Sequence, residues 1–147
     1  MRSHIIRCGF AGLAVAALLG TGSIAAAETM HLKADLSGKN EVPANSVKGA
    51  GKVEATYDTA TKMLTWTLTY SGMTGPVIAA HFHGPADRKK NAPVAVLIGN
   101  NISSPAKGSK TLTDAQAADL MAGRWYVNVH TAAHKPGEIR GQVIKGM

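Results

Sequence analysis

Leu64-Thr65-Trp66-Thr67-Leu68-Thr69-Tyr70 is the stretch whose reading decides the fold. Leu64, Trp66, Leu68 and Tyr70 alternate with three threonines, a strict period of two. Successive side chains of a β-strand point to opposite faces, so this segment offers one apolar face to a core and one polar face to water.

The same period recurs on either side of it. Leu32, Ala34 and Leu36 alternate with Lys33 and Asp35, and Val53, Ala55 and Tyr57 alternate with Lys52, Glu54 and Thr56. The polar run from Tyr57 to Lys62 predicts a hairpin turn, and Ser71 to Pro76 predicts the next break. From Val77 to His83 the apolar set is Ile78, Ala80 and Phe82, which leaves His81 and His83 together on the other face. Pro93 opens an apolar run, Val94 to Ile98, that reads as a strand buried on both sides, whereas Gly99 to Gly108 reads as loop. One helix is predicted at about 113–122: Thr113 caps it, Gln116 completes a capping box, and Gly123 stops it. In Arg124 to Thr131 the phase sets Trp125, Val127 and Val129 inward and Tyr126, Asn128 and His130 outward. After Gly137, Glu138, Arg140 and Gln142 share one face. The expectation is an all-β domain, a two-layer antiparallel β-sandwich with one short helix.

The first residues read as an export signal, residues 1–27, ahead of a domain spanning 28–147. Arg2 and Arg7 precede an Ala/Leu/Gly-rich stretch from Phe10 to Leu19, and Ala25-Ala26-Ala27 suits a signal peptidase. The style is bacterial, so a periplasmic or secreted protein is expected, with no transmembrane segment after cleavage. Cys8, the single cysteine, falls inside that signal, which excludes disulfides, thiolate metal sites and cysteine nucleophiles from the domain. Without Arg2 and Arg7, 14 basic residues stand against 9 acidic ones, a net charge near +5. Arg88-Lys89-Lys90 is the dense basic run, and aromatics are few, so the pattern does not suit nucleic acid. Anionic envelope polymers or an envelope protein remain compatible partners.

Two histidine segments carry most of the chemistry: His81-Phe82-His83-Gly84-Pro85 and Asn128-Val129-His130-Thr131. If their strands are neighbours, His81, His83 and His130 converge. Neutral imidazoles on two strands are good ligands for copper or zinc, with Glu138 as a fourth ligand or an orienting carboxylate. The competing reading is a hydrogen-bonded rim in which the histidines hold loops together with Asn128 and Glu41. Arg140 is expected to pair with Glu41 and pin the N-terminal loop. No Gly-x-Ser-x-Gly elbow and no glycine-rich phosphate loop is present, so hydrolase and nucleotide-binding chemistry fall away.

Five motifs resemble those of the CHRD (chordin) domain family. They are Leu36 to Pro43, Ala79 to Ala86, the Leu112-Thr113 helix start, Trp125 to Thr131 and Gly137 to Gln142, which together cover the chain from about Met30 to Ile144. The Arg88-Lys89-Lys90 run departs from the family pattern, and so does His134. In animal chordin such domains belong to an extracellular antagonist of bone morphogenetic proteins, a partner that bacteria lack. That role therefore does not transfer, and the resemblance leaves the function of a bacterial single-domain member undefined. The His-x-His strand end is also similar to the histidine strand of copper/zinc superoxide dismutase, itself a β-sandwich, although a shared fold does not imply a shared function.

Two functions follow as expectations. The first is a non-enzymatic binding module that takes copper or zinc on the histidine cluster, or an envelope ligand. The alternative is a metal-dependent enzyme with dismutase-like chemistry, for which His134 would have to supply the fourth histidine.

Overall fold

The computed structural model describes residues 26–146, and the expected export signal lies almost wholly outside them. Nine strands and one helix follow in chain order: β1 (Thr29–Ser37), β2 (Ala50–Asp58), β3 (Met63–Ser71), β4 (Val77–His83), β5 (Val94–Asn100), β6 (Ala106–Thr111), α1 (Asp114–Met121), β7 (Tyr126–Thr131), β8 (Ile139–Gln142) and β9 (Ile144–Lys145). Among the described residues no helix is long and apolar enough to cross a membrane.

The alternation drives the pairing. β1, β2 and β3 form an antiparallel meander in which Ala55 faces Trp66 and Val53 faces Leu68. The β2–β3 turn closes as its polar sequence suggests, because Asp58 Oδ1 accepts the Ala60 and Thr61 N–H groups. The full order is β5-β4-β7-β8-β1-β2-β3-β6, with every pairing antiparallel. β8 and β9 meet β1 in one continuous register, Ser37 opposite Arg140 and Lys33 opposite Ile144. Val143 interrupts them, and its N–H turns instead to the Trp125 carbonyl at 2.9 Å. Gly141 lets β8 pass close to β1, since a Cβ there would stand 2.4 Å from the Asp35 carbonyl oxygen.

The sheet folds over on itself, so that β3 and β4, far apart in its order, face each other. Trp66 meets Phe82 edge-on with ring centroids 5.3 Å apart, and Phe82 meets Trp125 at 5.9 Å. Leu32, Leu36, Val53, Leu64, Val127 and Val129 fill the same core. The fold is therefore all-β with one short helix, as the periodicity predicts. Thr113 and Gln116 form the predicted capping box, and Leu120 sinks into the core.

Two local expectations are corrected. β5 is an edge strand paired only with β4, and Val94 and Leu97 are 52% and 50% exposed, so it is not buried on both sides. Ala106–Thr111, read as partly loop, is strand β6. Its sequence Ala-Lys-Gly-Ser-Lys-Thr has no apolar alternation because only one flank pairs, with β3, and most of its side chains meet water.

Candidate functional site

β4 and β7 lie side by side with His81 opposite Asn128, His83 opposite Tyr126 and Ala79 opposite His130. Parity sends Ala80, Phe82, Val127 and Val129 into the core and sends the three histidines to the other face. His130 sits diagonal to His81 on that face, within the reach of cross-strand neighbours. The three imidazoles offer ligand atoms that all lie within 4.8 Å of one another. His81 Nδ1 is 3.0 Å from His130 Nε2, and the ring centroids of His81 and His83 are 5.4 Å apart.

This second face of β7 is not open to water, contrary to the outward placement expected for Tyr126, Asn128 and His130. All six residues of the strand are buried. The segments at 84–93 and 132–138 lie over it and are held there by polar groups of β7 and of the neighbouring β4. His83 Nδ1 donates to the Ala92 carbonyl at 2.9 Å, and His130 Nδ1 donates to the Lys135 carbonyl at 2.8 Å. A carbonyl only accepts, so in the neutral rings Nδ1 carries the proton of both and Nε2 keeps its lone pair. His81 Nδ1–H then serves as the donor to His130 Nε2. Tyr126, which the sequence reading passed over, stacks on His83 at 4.9 Å with ring planes 3° apart, and the Ala92 N–H donates to its hydroxyl.

Burial keeps the cluster uncharged. It pushes His81 down to about 4, with His130 and His83 adding repulsion, and it lowers His83 and His130 as well. Neutral imidazole is the metal-binding form. His83 Nε2 is buried without a hydrogen-bond partner, and Asn128 Oδ1 shares that condition. A buried lone pair with no donor is costly, and a cation beside His83 Nε2 would satisfy it. Two bonds of about 2 Å meeting tetrahedrally put nitrogens ~3.3 Å apart, close to the His81–His130 spacing. The nitrogen donors are of the type that copper(II) or zinc takes, and His83 Nε2, His130 Nε2 and one His81 nitrogen are the atoms that would hold such an ion.

The other expected site residues sort differently. Glu138 stands outside the imidazole group: its carboxylate accepts the Thr74 N–H at 2.8 Å, the Thr74 hydroxyl at 2.6 Å and the Thr131 hydroxyl. Burial alone would raise Glu138, but these donors outweigh it and hold the carboxyl below its ordinary value. His134 lies in the turn after β7, where its N–H donates to the Thr131 carbonyl, also outside the group. Asn128 Nδ2 donates to the Pro136 carbonyl at 3.2 Å.

Arg140 does not pair with Glu41 as expected. Its guanidinium donates to Asn91 Oδ1 at 2.9 Å and to the carbonyls of Lys90 and Asp87 at 2.7 and 3.2 Å, and it lies 3.5 Å over the Tyr126 ring. The arginine's three hydrogen bonds go to the 84–93 loop, and Glu41 feels Arg140 only through space. Burial raises Glu41 to about 7 against that attraction. Glu41 Oε1 packs beside Asn128 and Gly137, where a Cβ on Gly137 would stand 2.4 Å from it. Strand parity sets Tyr126 in the phase of Asn128 and His130, but no motif marked it as the ring that stacks on His83. Thr74, Thr131 and Asn91 gave no such signal, because their roles arise from loop placement.

No curated protein and no solved structure matches the chain. The CHRD domain model matches residues 32–143, from the first buried leucine of β1 to the Val143 interruption, and so takes in all three histidines and Arg140. This chain belongs to the CHRD domain family.

Proposed function

We propose that the protein is an exported, non-catalytic binding module that takes a copper or zinc ion on His81, His83 and His130 in a periplasmic or secreted setting. One observation carries the reading: three neutral imidazoles converge on a face closed by loops, and His83 Nε2 among them has no partner. Softer metals favour such nitrogen donors, whereas magnesium and calcium favour oxygen. The loop carbonyls that fix two of the rings do the work that outer groups perform at metal sites, setting which nitrogen faces inward. A bound ion would supply a fixed positive centre there. The Ala-rich leader at 1–27 supports export.

The test is metal analysis of protein recovered after export, paired with thermal denaturation of chelator-stripped protein titrated with zinc or copper. The expected result is one bound ion per chain and a midpoint that rises with metal, by about 2.7 kcal/mol of stability at a hundredfold excess over Kd. His83→Ala should abolish both effects. Metal content unchanged by that substitution would remove the site. Superoxide decay accelerated by the copper-loaded protein beyond the free ion would move the reading to the enzymatic alternative.

A further inference from the structure

We infer that a second site, a basic cleft of about 370 Å³ between residues 39–44 and the 84–93 loop, binds a small phosphate-bearing anion. Lys39, Arg88 and Lys89 line the cleft together with one carboxyl group, Glu41, and Arg140 and Gln142 form part of its wall. None of those three exposed cations pairs with a carboxylate among the described residues. The acidic side chain of their own loop, Asp87, is already engaged, by Lys90 Nζ at 3.7 Å and by the Lys89 N–H at 3.0 Å.

The walls are built rather than fortuitous. Arg140, 1% exposed, holds the loop through Asn91 Oδ1 and the Asp87 and Lys90 carbonyls. Asn91 Nδ2 then donates to the Val42 carbonyl at 2.8 Å, which ties the loop to the opposite wall. Gln142 Nε2 donates to the Ala86 carbonyl at 3.0 Å, fixing the loop's near end. Two segments distant in sequence are thus locked so that Lys39 and the Arg88-Lys89 pair face one volume. That volume suits a small molecule. Three cations outnumber the one carboxyl of the cleft, Glu41, which burial raises to about 7, and they match a group of charge near −2 better than a single carboxylate; a phosphate monoester carries about that charge at neutral pH. The cleft shares no lining residue with the histidine cluster, so it stands whether or not a metal binds.

The experiment is a calorimetric titration of the protein with inorganic phosphate at low ionic strength, with a chelator present so that no metal takes part. Saturable binding is expected, weakened at least ~tenfold by Arg88→Gln/Lys89→Gln and in the same direction by Lys39→Gln. All three side chains are exposed, so these variants should keep the wild-type denaturation midpoint. Lys107→Gln/Lys110→Gln on the distant edge strand β6 should leave binding unchanged. Absence of saturation, or equal loss in the β6 variant, would overturn the site. Acetate binding as tightly as phosphate would overturn the ligand class. Capture of phosphatidylglycerol vesicles without binding of free phosphate would overturn the small-molecule reading.

Discussion

The half of the sheet made by β1, β2, β3 and β6 and the half made by β5, β4, β7 and β8 share one apolar core but treat their outer faces in opposite ways. On the first, Asp35, Lys52, Glu54, Thr65 and Thr69 meet water. On the second, Tyr126, Asn128, His130, Arg140 and Gln142 are buried under loops that they themselves bind. The first half is held by hydrophobic transfer and backbone pairing, which ask little of its outer residues. The second needs each polar group to find a partner, and His83 Nε2, Asn128 Oδ1 and Gln142 Oε1 are buried there without one.

Predictions can break this contrast at three levels. The largest effect belongs to the core that both halves share. Phe82→Ala removes the ring lying between Trp66 and Trp125, and a loss of about 3–5 kcal/mol is expected in urea denaturation. A loss below about 1 kcal/mol would mean that the two layers are not packed through Phe82.

The next effect is confined to the second half and depends on pH. The histidines have folded pKa values below the ordinary 6.5, with His81 near 4, so the unfolded chain binds more protons across that window. Their contribution is fully present above pH 6.5 and is lost as pH falls toward 4. Glu41 acts in the opposite sense: its pKa is raised from 4.5 to about 7, so its contribution is present below 4.5 and is lost as pH rises toward 7. Glu41→Gln removes the opposing titration. Denaturation midpoints of that variant should therefore fall more steeply than wild type between pH 7 and 4.5, and parallel curves would refute the assignment.

The smallest effect is at the edge of the second half. Leu97→Thr on exposed β5 is expected to change stability by no more than about 0.5 kcal/mol. A cost near 2 kcal/mol in the same urea measurement would put this strand inside after all.

The contrast also explains what could be read from the residues alone. Leu64, Trp66 and Leu68 announced their strand because one face is wet and the other dry, and period two records that difference. β7 kept the same period, but its polar face is covered, and no pattern within the strand reveals what lies above it. Strand parity put His81, His83 and His130 on polar faces, but their convergence rested on a condition, the adjacency of β4 and β7, that only the fold supplies. The partners of Arg140 and Glu138 were not legible, since they come from residues 74 and 87–91, whose positions depend on how loops close over the finished sheet. β6 escaped notice because an edge strand with wet side chains has no hydrophobic phase to show.

Arg140 grips the 84–93 loop at two of its three hydrogen bonds through the main-chain carbonyls of Asp87 and Lys90, which every amino acid possesses. The clamp is therefore indifferent to which side chains stand at positions 88 and 89. Substitution there can rewrite that rim without loosening the scaffold beneath it, whereas loss of the Arg140 guanidinium would release the loop. The chemistry of the rim and the frame that carries it can thus change independently.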